Sequence, residues 1–244
     1  MPRLLVVLLA ACLSGVPVQA QSPQPRKILN DMLEELGGQI FLDVKDIHTT
    51  GRFYQFKRGD LAGVDNFEDY MKFPLMERTE FGKAKNKEIT INNANEGWKI
   101  TPKDKEPQEQ VPAEVQEFIN NFKTSFDYIL RFTLSESKTT VQHVGSEIID
   151  FNRADMIELR DAAKNRIVFF VDRTTKLPVK MQVRRSDEKV MREERYGNWH
   201  KFSGVLTSLF ISRSTDGVKT MEIRLDGAAY NSGLSDNLFT APRK

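Results

Sequence analysis

Cysteine is almost absent from this chain. Cys12 is the only one, and it lies in an apolar stretch near the N-terminus. If that stretch is removed on export, the mature protein has no thiol and cannot form a disulfide in any redox compartment. The fold must therefore be stabilised by its hydrophobic core.

Recognisable catalytic motifs are also missing. The sequence has no Gly-x-Ser-x-Gly elbow, no P-loop and no Gly-x-Gly-x-x-Gly run. The histidines His48, His143 and His200 are scattered, and none has His-x-x-x-His spacing. Paired acids such as Glu193 and Glu194 lie among basic residues, which is typical of a solvated surface. We expect no catalytic residues, no metal and no cofactor. A hydrolase whose site lacks a local motif is the enzyme alternative.

The chain also has no large excess of positive or negative charge. The chain has 36 basic and 34 acidic residues, and Arg3 belongs to the N-terminal stretch. Near balance argues against a dedicated nucleic-acid or anionic-membrane binder. No Gly/Ser linker and no repeat divides the chain, which predicts a single domain over residues 21–244.

Residues 1–20 have the pattern of a cleavable signal peptide. Arg3 provides the positive charge, Leu4 to Ala11 an apolar core too short to span a bilayer, and Val18-Gln-Ala20 a cleavage site. This predicts export to the periplasm. Leu9-Ala-Ala-Cys12 resembles a lipobox, so a form anchored through lipid on Cys12 is the alternative.

Two helices are predicted by apolar residues that recur at helical spacing. The first spans residues 25–38 and stops at Gly37-Gly38. The second begins at Pro112 and continues to Ile129. Its apolar stripe contains Val115, Phe118, Ile119, Phe122 and Phe126. A stripe this apolar must lie against a sheet or a ligand.

Most of the remaining chain alternates apolar and polar residues, as half-buried strands do. Gln39 to Ile100 reads as strands, and Ile167–Asp172 and Leu177–Val183 predict a hairpin. About ten strands follow one another with few helical gaps, which favours antiparallel pairing. The predicted fold class is α+β, mainly antiparallel β. A sheet this long must twist and curl or close, and two or more helices are available to cover its concave face.

The order of several short motifs resembles the periplasmic outer-membrane lipoprotein-sorting proteins of the LolA/LolB type. The motifs are Asp172-x-x-Thr175-x-Leu177-Pro178, Tyr196, Trp199, Gly204, Asn231 and Phe239-x-x-Pro242, with fainter matches at Pro74–Arg78 and Asn95–Trp98. The resemblance implies a half-barrel of antiparallel strands with acyl chains bound between sheet and helices. A basic residue that precedes the early proline in the carriers is replaced here by Phe73, so the lid latch of that family does not transfer.

The resemblance also implies where lipid binds. The second helix becomes a lid whose binding residues are Val115, Phe118, Ile119, Phe122 and Phe126. The sheet wall would contribute Phe73, Trp98, Phe169, Met181, Val183, Met221 and Ile223. The chain's 16 Phe and 8 Met suit a surface that accepts varied acyl chains, because Met is flexible and polarisable.

These observations together predict a monomeric, non-enzymatic periplasmic carrier that shields lipid acyl chains or lipoproteins. Membrane-anchored proteins would donate and accept its cargo, and no nucleic acid would bind. The alternative is a regulatory module of the cell envelope that has the same fold, senses stress and binds a protein partner.

The first prediction concerns export. We expect the mature protein to begin at Gln21, to carry no thiol and to be released without lipid, because cleavage after Ala20 removes Cys12. Intact mass and N-terminal sequencing of protein from the envelope check this. A lipid-modified Cys12 at the N-terminus would contradict it and would indicate a membrane-tethered acceptor.

Overall fold

The computed structural model describes residues 24–83, 86–104 and 106–241. The predicted signal peptide, Cys12 and Pro242 lie outside the described residues. Within them, thirteen strands form one sheet in which every neighbouring pair is antiparallel. The predicted α+β class and open, curled antiparallel sheet are confirmed, with more strands than the ten or so expected.

Strands that follow one another in the chain are neighbours in the sheet, and they form two meanders that join where the first strand pairs with the last. They are β1 (Asp46–Lys57), β2 (Asp60–Lys72), β3 (Met76–Phe81), β4 (Glu88–Asn93), β5 (Glu96–Ile100), β6 (Gln108–Glu109), β7 (Thr140–Ile149), β8 (Asn152–Arg160), β9 (Arg166–Asp172), β10 (Pro178–Arg184), β11 (Arg192–Phe202), β12 (Val205–Thr215) and β13 (Val218–Tyr230). Strand β1 pairs with β13, so β6 and β7 form the two free edges.

The first helix, α1 (Pro25–Leu36), forms as predicted, and Gly37 ends it. Gly37 has a φ of 129°, and a Cβ there would lie 2.7 Å from the Gly204 carbonyl oxygen. The strand expected from Gln39 onward was wrong, because Gln39–Leu42 forms the short helix α2. This helical turn after the glycines buries Phe41 in the core. The alternation of apolar and polar residues predicted a strand here and did not indicate that burial.

The second predicted helix is broken into α3 (Pro112–Lys123) and α4 (Phe126–Arg131). The Thr124 hydroxyl donates to the carbonyl oxygens of Asn120 and Asn121, which ends α3. Ser125 has an extended backbone, and its hydroxyl accepts from the Tyr128 backbone N–H as the N-cap of α4. Phe126 therefore belongs to α4, and the single helix to Ile129 was wrong.

Helices α3 and α4 lie between β6 and β7, which form the two free edges, and they pack over the concave face of the sheet. Helix α1 packs against β7 and β12, and its buried side chains belong to the main hydrophobic core. Helix α4 buries Ile129 and Leu130 in that core. That core takes the inward side chains of β8 to β10: Ile157, Leu159, Ile167, Phe169, Val171, Met181 and Val183. Helices α1 and α4 thus fill part of the concave face.

Two of the motifs behind the resemblance form local structure. The Asp172 carboxylate accepts from the backbone N–H groups of Thr174 and Thr175, both at 2.8 Å, and so builds the turn between β9 and β10. The Asn231 side chain accepts from the Lys45 N–H at 2.7 Å and joins the end of β13 to the start of β1. Phe239 of the last motif is fully buried.

The second prediction concerns Asp46, whose buried carboxylate accepts from the N–H groups of Ser232, Gly233 and Leu234. We expect Asp46→Ala to lower the free energy of unfolding by about 3 kcal/mol, because bonds to a charged acceptor contribute about 1.5–3 kcal/mol and the freed donors lose their partner. Urea unfolding measures this. Asp60→Ala, at the exposed start of β2, is the control, and equal losses in both variants would contradict it.

Candidate functional site

A cavity of about 520 Å³ lies between the sheet and the helices α3 and α4. Strands β1, β2, β3 and β10 to β13 form its floor and walls, and the two helices form its roof. It occupies the part of the concave face that α1 leaves unfilled. A volume of this size is in the usual range of about 300–1,000 Å³ for small-ligand sites.

Most of the cavity wall is apolar. The apolar lining residues are Phe41, Ile47, Phe67, Met71, Phe118, Phe122, Phe126, Met181, Val183, Trp199, Val205, Leu206, Ile211, Ile223 and Leu225. Alternation in the strands produces this wall, since every second residue points to the concave face. The surface therefore suits hydrocarbon, which gains free energy by leaving water.

The roof is packed from aromatic rings. Phe122 contacts Phe118 and Phe73 at centroid distances of 5.4 and 6.0 Å. Phe126 lies 5.1 Å from Tyr196 of the floor and 6.1 Å from Phe169. Edge and tilted contacts at these distances add about 0.5–1.5 kcal/mol each beyond the area they bury.

Helix α3 is anchored by ion pairs at both sides of the cavity. On one side Lys99 of β5 donates to Glu114 at 2.6 Å. On the other side the nearly fully buried Arg185, which follows β10, donates two parallel bonds to Glu117 at 3.0 and 2.8 Å. This guanidinium holds the pKa of Glu117 below its usual value. Because Arg185 binds in a bidentate way, its anchor is the stronger of the two.

Helix α4 is held by a buried arginine. The Arg131 guanidinium lies 3.8 Å from the centre of the Phe41 ring and 5.0 Å from that of Phe73, and it pairs with Asp127 on the same helix. Its Nε and Nη2 atoms have no hydrogen-bond partner among the described residues. Stacking on two rings therefore replaces part of the hydration that burial removes.

One end of the cavity is polar. Arg213 donates to Glu194 at 2.5 Å, and the Tyr196 hydroxyl donates to the other oxygen of the same carboxylate at 2.7 Å. The negative charge of Glu194 raises the pKa of Arg213, and burial raises that of Tyr196. The Arg213 side chain keeps 43% of its surface accessible. Arg213 also lines the cavity, so part of this accessible surface faces the cavity.

Two further carboxyl groups line this polar end, from β2 and β3. Enclosure away from water raises the pKa of Asp69 to about 6, although Thr79 donates a hydrogen bond to it at 3.0 Å. Enclosure and the nearby Asp69 raise the pKa of Glu77 to about 8. The strand register places Glu77 diagonally across from Asp69 on one face. Glu77 has no hydrogen bond or ion pair with any residue in the described ranges.

The structure brings half of the sequence-predicted lipid-binding residues to the cavity. Phe118, Phe122, Phe126, Met181, Val183 and Ile223 line it, whereas Val115, Ile119, Phe73, Trp98, Phe169 and Met221 do not. Phe73 packs behind Phe122, and Phe169 lies in the core beneath Phe126. For all twelve residues, the role in lipid binding stays a prediction.

The polar end was missed by sequence reasoning. A signal for part of it was present, because Asp69 alternates in phase with Phe67 and Met71, so it had to share their face. Glu194 and Arg213 belong to distant strands, and they come close to Glu77 only because the sheet curls.

The described residues contain no group of three acids or histidines arranged to hold a metal ion. None of the helices described is long and apolar enough to cross a membrane.

Solved structures share this fold. A DUF1329 family protein from Desulfovibrio piger has a TM-score of 0.61 at 14% identity. A putative outer membrane lipoprotein-sorting protein domain from Vibrio parahaemolyticus and a LolA superfamily protein from Nitrosomonas europaea each have a TM-score of 0.55, at 11% and 14% identity. Each match covers 88% of this chain and 97% of the other. No family model and no curated protein matches the sequence. The LolA-like resemblance is confirmed at the level of the fold.

The third prediction concerns Glu77. Its folded-state pKa of about 8 lies above the ordinary 4.5, so the folded state binds a proton more tightly than the unfolded state. That contribution to stability is full below pH 4.5 and is lost as the pH rises to about 8. We therefore expect Glu77→Gln to raise the melting temperature above pH 8 and to change it little near pH 4, as measured by thermal melting across pH.

Glu88→Gln, on the exposed end of β4, is the matched control and should show no such pH-dependent gain. If Glu77→Gln melts at the wild-type temperature throughout, the carboxyl is hydrated and the interpretation is wrong.

Proposed function

We propose that this protein is a non-enzymatic periplasmic carrier that holds lipid acyl chains, free or as part of a lipoprotein, in the cavity beneath α3 and α4. The observation that carries the proposal is the cavity itself: about 520 Å³ with a mainly apolar wall, under a roof held by ion pairs at both sides. The lipoprotein-sorting fold of the solved neighbours supports it.

The energetics are sufficient for binding. Burial of hydrocarbon contributes about 0.8 kcal/mol per CH₂, so ten buried methylenes contribute about 8 kcal/mol before entropy costs. The cavity wall supplies aromatic, branched and thioether groups, which can repack around chains of different shape. Specificity for one chain length is therefore not required.

We propose that cargo enters when α3 moves, because ion pairs at the rim hold this helix over the cavity. Its apolar face contacts the cavity through Phe118 and Phe122, while Glu114 and Glu117 hold its polar face to the rim. Exposed ion pairs contribute only about 0–1 kcal/mol each. The bidentate Arg185 pair is thus the main polar contact to break when the roof opens.

Export through residues 1–20 would place the protein where membrane-anchored proteins can load and unload it. We propose lipid or lipoprotein cargo with such a donor and acceptor, and a monomeric carrier between them. Neither nucleic acid nor a cofactor has a part in this function.

The fourth prediction tests the cavity. We expect Ile223→Trp to fill part of it and to weaken binding of a fluorescent fatty acid about tenfold or more, while the sheet stays folded. Ile223 lines the cavity from β13. Val218→Trp is the matched control, since Val218 lies at the exposed start of the same strand. Titration by fluorescence and thermal melting together measure the result.

Equal binding by both variants, with unchanged melting temperatures, would show that lipid does not occupy this cavity. Native mass spectrometry of the protein from the envelope gives an independent measurement. Masses spaced by lipid species support the carrier. A clean apo mass with a stoichiometric protein partner contradicts it and favours the regulatory module.

A further inference from the structure

The polar end of the cavity holds more acidic than basic groups once its ion pairs are accounted for. Glu194 is neutralised by Arg213, and Asp127 of α4 by Arg131. Arg192 and Glu193, which also line the cavity, pair with Glu117 and Arg195. Asp69 and Glu77 remain, and both line the cavity. Thr79 donates to Asp69, but no described residue donates to Glu77. Both side chains are half-buried, and a partly desolvated carboxyl group without a hydrogen-bond donor is costly, which a ligand can relieve.

We propose that this end of the cavity binds the cationic head group of an amphiphile, an ammonium on an apolar chain, between the carboxyl groups of Asp69 and Glu77. The proposal rests on the carrier function above and names the class of head group that the same cavity accepts. The chain of the ligand would contact Phe67 and Met71, which flank Asp69 on β2 and also line the cavity.

The charges favour a cation over an anion. An anionic head group would have to approach Asp69 and Glu77, and the cation that acts on both of them, Arg213, already donates to Glu194 at 2.5 Å. Like charges in an enclosed site repel strongly because little water screens them. A hydroxyl head group could bond to a protonated carboxyl, but it would gain nothing from the charge. An ammonium supplies both donors and charge.

Proton linkage gives the proposal a signature. The groups that face the pair are Thr79 of β3, Arg213 of β12 and Asp127 of α4, with Glu194 of β11 beside the arginine. Without ligand, enclosure keeps Glu77 protonated up to pH about 8. A bound ammonium would stabilise the charged carboxylate and lower that pKa. Binding must then release a proton, and affinity must rise with pH while the ammonium, like a lysine side chain, stays charged up to about pH 10.

The experiment compares decylamine, decanol and decanoate, which share one chain length, as competitors of an apolar fluorescent dye. At pH about 8, where Glu77 can ionise, we expect decylamine to bind wild-type protein about tenfold tighter than decanol. Glu77→Gln should lose this preference and leave decanol binding unchanged. Glu88→Gln, exposed on β4, should behave as wild type. Calorimetry in buffers of different ionisation enthalpy should show proton release for decylamine only.

Three results separate the two proposals. If decanol or decanoate binds as tightly as decylamine, the head-group assignment is overturned while the carrier function stands. If decylamine preference survives in Glu77→Gln and in Asp69→Asn, the cation binds elsewhere, and the assignment is again overturned. If none of the three competitors displaces the dye from wild-type protein, the cavity is not a lipid site and both proposals fall.

Discussion

One topological constraint shapes the molecule: the segment from β6 to β7 has to join the two free edges of a thirteen-stranded open sheet. This connection contains α3 and α4, and both helices lie over the cavity on the concave face. This arrangement places Phe118, Phe122 and Phe126 over the floor and leaves a cavity beside α1 and α4. The roof is thus formed by the connection between the two edges, and the ion pairs of Glu114 and Glu117 hold α3 to the rim of the cavity.

The curvature of the sheet also determines which charged groups lie together in the site. Asp69 and Glu77 come from one meander and Glu194 and Arg213 from the other, yet the charge of Arg213 acts on both carboxyl groups of the first meander. In a flat sheet Asp69 and Glu77 would face water, and their carboxyl groups would have ordinary pKa values. In the curled sheet they share an enclosed space, where loss of hydration raises the pKa of both acids. The site is therefore amphipathic, with an apolar wall and an acidic end.

The motifs that carry the LolA-type resemblance stabilise local structure in this chain. Asp172 builds a turn, Asn231 joins the ends of β1 and β13, and Gly204 leaves room for the Ile40 side chain. They therefore identify the fold and say little about the ligand. What the cavity accepts depends on residues outside those motifs, such as Ile223, Asp69 and Glu77, which is why neighbours at 11–14% identity establish only the architecture.

The sequence by itself determined the α+β class, α1 and its glycine stop, most of the strands, and the apolar residues on the inner face, because these depend on local periodicity and turn chemistry. It did not reveal α2 or the break at Ser125, where burial of Phe41 and an N-cap outweigh the apolar pattern. Only the tertiary structure decided which apolar residues line the cavity, and that Trp98 and Met221 do not. It alone brought Glu194 and Arg213 to Asp69 and Glu77, because contacts between distant strands depend on how far the sheet curls, and no local pattern encodes that curvature.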